Sequence, residues 1–140
     1  MPSAITASPA EGPFAPQGSA LAAIAELLTV YFDGLHHSDT SRLRDVFHPD
    51  ARYVCATEGG PLHLDMEAYF AIVDQRPSPA SRGEARSDRI LGVELAGPVT
   101  ALARVQCSIG PKLFTDFLSL IHVDGRWRII CKVFHFDLRA

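Results

Sequence analysis

Leu21, Ile24, Leu27, Leu28, Tyr31, Phe32 and Leu35 recur at spacings of three and four, the period of a helix with one apolar face. The spacing predicts a first helix over 19–37 with Ser19 as its N-cap. A short second helix follows over 40–47, with Leu43, Val46 and Phe47 inward and Pro49 as its stop. Residues 52–57 read as a strand, 58–61 as a turn and 62–64 as a short partner strand. Asp65 caps a third helix over 66–74, whose Met66, Tyr69, Phe70 and Val73 share a face. Arg76-Pro77-Ser78-Pro79 breaks it, and a polar loop runs to about Glu84.

Beyond the loop the period changes to that of strands. One is expected over 86–95, and three longer ones over 99–109, 113–123 and 126–136. The turns fall at Gly97-Pro98, Gly110-Pro111 and Asp124-Gly125. Asp-Gly between two β-rich runs is a strong hairpin signal, because both residues tolerate positive φ. In that hairpin Phe114, Leu118, Leu120, Trp127, Ile129 and Val133 are expected on one face. Thr115, Phe117, Ile121, Ile130, Phe134 and Phe136 are expected on the other. Both faces are apolar, whereas a sheet with one wet face alternates more cleanly. The second face therefore calls for a cover, and a second copy of the same sheet in a homodimer is the economical one. Helices first and antiparallel strands last make an α+β domain, the helices packed on one face of the sheet.

Composition narrows the picture. The 140 residues suit one domain with a real core. With 47% hydrophobic and 21% charged residues, the chain reads as globular. A net charge of −3 and no basic block argue against nucleic acid. No apolar run approaches the ~18 residues a membrane span needs, so no membrane partner is expected. Three cysteines, Cys55, Cys107 and Cys131, lie in apolar strands without close spacing. They read as reduced thiols, consistent with a cytoplasmic protein. Residues 1–17, with Pro2, Pro9, Pro13 and Pro16 among small residues, read as a flexible leader before a single domain over 18–140.

Three segments resemble the nuclear transport factor 2-like superfamily, the cone-shaped α+β fold that includes ketosteroid isomerase, scytalone dehydratase and polyketide cyclases. They are Tyr31-Phe-Asp-Gly-Leu leading to Phe47-His-Pro-Asp-Ala51, the helix from Met66 to Val73, and Thr115-Asp-Phe-Leu-Ser-Leu with Asp124-Gly-Arg-Trp-Arg-Ile129. The third looks most like the small bacterial group labelled "putative lumazine-binding". The resemblance implies three helices against a curved, mainly antiparallel sheet. In ketosteroid isomerase a helix tyrosine and a protonated late-strand aspartic acid form an oxyanion hole, and a first-strand aspartate moves the proton. Tyr31 matches the tyrosine and Asp116 the late-strand acid. The position of the base falls on Cys55, a poor substitute for a carboxylate.

Asp116 is the sharpest candidate, because a carboxylate inside an apolar strand must be paired, protonated or used. Counted from a two-residue turn it sits opposite Val133 and diagonal to His135, on the Trp127 face. Two readings stand. Asp116 is a pocket acid with Tyr31 as donor and His135 or His63 as base, or it is an ion-pair member with Lys132 or Arg104. Tyr53, Cys55, His63, Tyr69, Phe114 and Trp127 are candidate pocket lining. The six histidines lack ligand spacing, since the adjacent His36 and His37 point to different helix faces. No metal and no cofactor are therefore expected. The function expected is small-molecule binding, with isomerase-, dehydratase- or cyclase-type acid–base chemistry on a partly apolar carbonyl compound. A non-catalytic carrier or protein–protein association module is the alternative.

Overall fold

The computed structural model describes residues 17–139; the expected leader lies outside them except for Gln17, which opens the first helix. The elements run α1 (Gln17–His37), α2 (Thr40–Val46), β1 (Phe47–Cys55), β2 (Leu62–Leu64) and α3 (Met66–Gln75). A 3₁₀ turn (Ala80–Arg82) precedes β3 (Arg89–Ala96), β4 (Thr100–Ile109), β5 (Lys112–Val123) and β6 (Arg126–Leu138). The third helix follows the first two strands, as its place in the sequence predicts, so the three helices are not all N-terminal to the sheet as the family resemblance implied. Ser19 lies inside α1 rather than capping it.

Local chemistry explains the helix borders. Asp39 accepts the Ser41 and Arg42 amides at the start of α2, and Asp65 accepts the Ala68 amide at the start of α3. α1 and α2 pack closely at Gly34, where a Cβ would lie 2.7 Å from the Leu43 side chain at Cδ2, so a larger residue would have to displace Leu43. Pro49 does not stop α2, which ends at Val46. It lies in β1 between the residues paired with β6, Phe47 on one side and Arg52 onward on the other, where no ladder donor is required.

The six strands form one sheet in the order β2-β1-β6-β5-β4-β3. All neighbours are antiparallel except β1 and β6, which run parallel. Between Ser119 and Leu120 the β5–β6 register shifts, so that Ser119 faces Cys131 and Leu120 faces Ile129. The extra residue, Ile130, makes a bulge that turns the rest of β6 over. Two expectations change with it. Asp116 pairs with Phe134, not Val133. Lys132 and Phe134 join Trp127 and Ile129 on the buried face, while Val133 turns out to solvent.

The core lies between this face and the helices, with Ile24, Leu28, Tyr31, Tyr69 and Val73 fully buried against Val105, Leu118, Leu120 and Ile129. Over Gly18–His37, α1 is long and apolar enough by length and composition to cross a membrane, contrary to the expectation that no segment is. Here its apolar stripe is the helix side of the core. On the outer face Phe117 and Val133 oppose one another, each about half exposed.

Candidate functional site

The charged and phenolic groups of the core converge on one carboxylate. Tyr31, midway along α1, donates its hydroxyl to Asp116 Oδ2 over 2.6 Å. Lys132 Nζ lies 3.8 Å from the same oxygen. Asp116 and Tyr31 are 0% exposed and Lys132 is 4% exposed. The ammonium sits among four aromatic rings, with centroids at 5.2 Å (Tyr31), 5.5 Å (Tyr53), 5.3 Å (Tyr69) and 5.2 Å (Phe134). Each ring turns toward it the electron-rich side that attracts a cation. Tyr53 and Tyr69 stack at 4.4 Å, and Phe47 packs edge-on against Tyr31 and Tyr69.

Burial decides the protonation of these groups. It pushes the Tyr31 phenol well above its usual 10.0, and the neighbouring Asp116 carboxylate adds to the effect. Burial also raises Tyr53, and it pushes the Cys107 thiol up to about 12, again with help from Asp116. For Lys132, burial works against the charged form, but Asp116 together with Tyr69 and Tyr53 outweighs it and the pKa rises. Tyr31 and Tyr53 are thus held as neutral phenols, and Lys132 as an ammonium beside Asp116. Two buried polar atoms in it, Asp116 Oδ1 and the Tyr69 hydroxyl, have no hydrogen-bond partner among the described residues.

Of the residues singled out from sequence, Tyr31, Asp116, Tyr53 and Tyr69 come together. His135 does not join them. The Ile130 bulge leaves it on the outer face, where it meets Thr57 Oγ1 at 2.8 Å and Asp137 Oδ1 at 3.0 Å. His63 is exposed on the edge strand β2. Cys55 is buried at the end of β1, and Phe114 is half-buried beside Phe134 and Phe136. Trp127 packs against His122 beside the Asp124-Gly125 turn. Arg104 is exposed on the outer face across from Gly92 and takes no part. Lys132 was considered from sequence only as a charge partner. Its place among the rings depends on the bulge, which no sequence signal marks.

Among the described residues no three His, Cys, Asp or Glu side chains gather as they would to hold a metal ion. An open groove of about 430 Å³ lies away from the network, lined by Glu84, Arg86, Ser87, Ser108, Gly110 and Arg139. Its charged groups already have partners: Arg86 is held by Asp33 and Asp88, and Glu84 by the Gly110 amide.

Residues 19–135 match the family model described as "Putative lumazine-binding". The chain belongs to that family. Like other solved structures of NTF2-like type, this lumazine-binding-like domain is an α+β fold. It superposes on an NTF2-like protein of Shewanella baltica with a TM-score of 0.79 at 22% identity, covering 87% of this chain and 97% of that one. It superposes on an NTF2-like protein of Silicibacter pomeroyi with a TM-score of 0.74 at 22% identity, covering 87% and 99%. Among curated proteins it is similar to the aldolase FrzH of a Cladobotryum species. The two are 27% identical over 107 residues, 75% of this chain and 82% of that protein.

Proposed function

We propose that this chain binds a small, partly apolar carbonyl compound in the cone and performs acid–base chemistry next to the carbonyl group. One observation carries the reading: Tyr31 holds one oxygen of the buried Asp116, while Asp116 Oδ1 and the Tyr69 hydroxyl have no partner among the described residues. Unpartnered buried polar atoms are costly, and a ligand that supplies the missing contacts is favoured by that cost.

The division of labour follows. Tyr31 fixes Oδ2 and the orientation of the carboxylate. Asp116 Oδ1 takes a proton from the carbon beside the carbonyl. The Tyr69 phenol donates to the carbonyl oxygen as negative charge builds on it. The product of that step is an enolate, common to enolisation, isomerisation and dehydration. It is also the nucleophile of carbon–carbon bond formation, so the similarity to a protein named an aldolase supports the class. No cofactor is needed for these steps. The apolar outer face around Phe117 and Val133 supports a homodimer formed through the sheet. The free cysteines support a reducing, cytoplasmic setting.

The second reading, a carrier or association module without catalysis, is favoured by how tightly the site is packed, with Tyr31 and Asp116 at 0% exposure. Deuterium exchange separates the two. Phenylacetone in D2O should exchange its α-protons faster with the protein than without it. Tyr69→Phe should slow the exchange, and thermal shifts should show binding. Neither stabilisation nor exchange across a panel of ketones and aldehydes would leave the association module.

A further inference from the structure

We propose that Lys132 is a carbonyl-reactive amine, forming an imine with the aldehyde or ketone that the cone takes up. The inference rests on the carbonyl-pocket reading above and assigns it a covalent step. It begins with a choice of residue. Of 13 lysines and arginines only two are lysines, Lys112 and Lys132. None of the eleven arginines is buried. The chain places arginine at nearly every cationic position and lysine at the one cationic position inside the core. Had the core needed only a fixed cation among aromatic rings, arginine stacks on rings at least as well and grips a carboxylate with two bonds. What lysine adds is an amine that can give up its proton and then bond to carbon.

The neighbours suit that chemistry. Lys132 Nζ lies 3.8 Å from Asp116 Oδ2, beyond hydrogen-bond length, and donates no hydrogen bond among the described residues. Four ring faces surround it, those of Tyr31, Tyr53, Tyr69 and Phe134. Asp116 keeps Nζ charged at rest and is also the base placed to relieve it. In dry surroundings, passing the proton across converts two buried charges into two neutral groups. The amine lone pair then forms a C–N bond at the carbonyl carbon, and one of the protons on that nitrogen moves to the oxygen, which becomes a hydroxyl. That hydroxyl leaves with the proton held by Asp116 as one water. The balance is one ammonium and one carbonyl giving one protonated imine and one water. No oxidant or metal enters. The Tyr31 phenol, bonded to Asp116, stays a neutral donor throughout.

The chain carries its own reference, since Lys112 lies partly exposed over the Phe136 ring at 4.5 Å. The probe is 3-phenylpropanal with sodium cyanoborohydride, which fixes an imine as a secondary amine. Peptide mapping by mass spectrometry then reads labelling at Lys132, Lys112 and the amino terminus. Labelling at Lys132 is expected to be about tenfold faster than at Lys112. 3-Phenylpropanol, which has no carbonyl, should compete with the aldehyde and leave no adduct. Labelling at Lys132 no faster than at Lys112 overturns the imine. Thermal stabilisation by the aldehyde separates the two ways of failing. If the aldehyde stabilises the protein and Lys132 stays unlabelled, the imine fails and the carbonyl pocket stands. If it neither stabilises nor labels, both fall.

Discussion

Asp116 and Lys132 touch diagonally across the last hairpin. Asp116 faces Phe134 in register and Lys132 faces Leu118, so the charges meet two residues apart along β6. Diagonal neighbours in a sheet come within reach only through long side chains. Asp116→Asn keeps the shape of the site but strands the buried ammonium. Chemical denaturation at neutral pH should show a loss of about 3–5 kcal/mol. The double variant Asp116→Asn with Lys132→Met should recover most of it. A single variant as stable as the parent would mean that the pair is not charged in the folded protein.

Tyr31→Phe removes the 2.6 Å bond to Asp116 Oδ2 without changing the ring. Hydrogen bonds to charged groups contribute about 1.5–3 kcal/mol, and a loss of that size is expected from urea titration. A loss below 0.5 kcal/mol would be too small for a charge-assisted bond.

The protonated core sets a ceiling on pH. The Cys107 thiol is held at about 12 against an ordinary 9.0, so the folded state keeps a proton that the unfolded chain releases. This contribution is intact below pH 9.0 and is lost as pH rises toward 12. At about pH 10.5 the loss is about 2 kcal/mol. The raised pKa values of Tyr31 and Lys132 act in the same direction further into the alkaline range. Thermal midpoints measured from pH 7 to 11 should begin to fall near pH 9, and Cys107→Val should delay the onset. An onset unmoved by that variant would assign the fall to other groups.

Assembly and metal independence can be checked together. Light scattering at micromolar concentration should give about twice the 15.2 kDa chain mass. Val133→Glu, on the exposed face opposite Phe117, should shift the species toward monomer. Melts with and without chelator should superimpose within ~2 °C. A clean monomer, or a large drop with chelator, would contradict the reading of the outer face or of the histidines.

Much of the frame was legible along the chain. The 3-4 spacing marked α1, Asp65 marked the start of α3, and Asp124-Gly125 marked the last turn, where both residues adopt positive φ. These signals are local, and local signals survive without knowledge of partners. The Ile130 bulge was not legible, because β6 is apolar on both faces and alternation there fits either parity. Everything that depended on parity moved with it: the partner of Asp116, the outward turn of His135 and the inward turn of Lys132. The parallel pairing of β1 with β6 was hidden for a different reason. Hydrophobic pattern marks strands but not which distant strand they join.

That parallel pairing also sets the order in which the molecule is completed. β3 to β6 form a meander in which each strand pairs with the one before it as it leaves the ribosome. β1, made some 80 residues earlier, has no sheet neighbour but the three-residue β2 until β6 emerges. Contacts so far apart in sequence are slow to close. Lys132, opposite Tyr53 on that same seam, is therefore among the last core groups to leave water. During synthesis the β1 edge that later pairs with β6 stays open, and a chaperone would have its longest hold there.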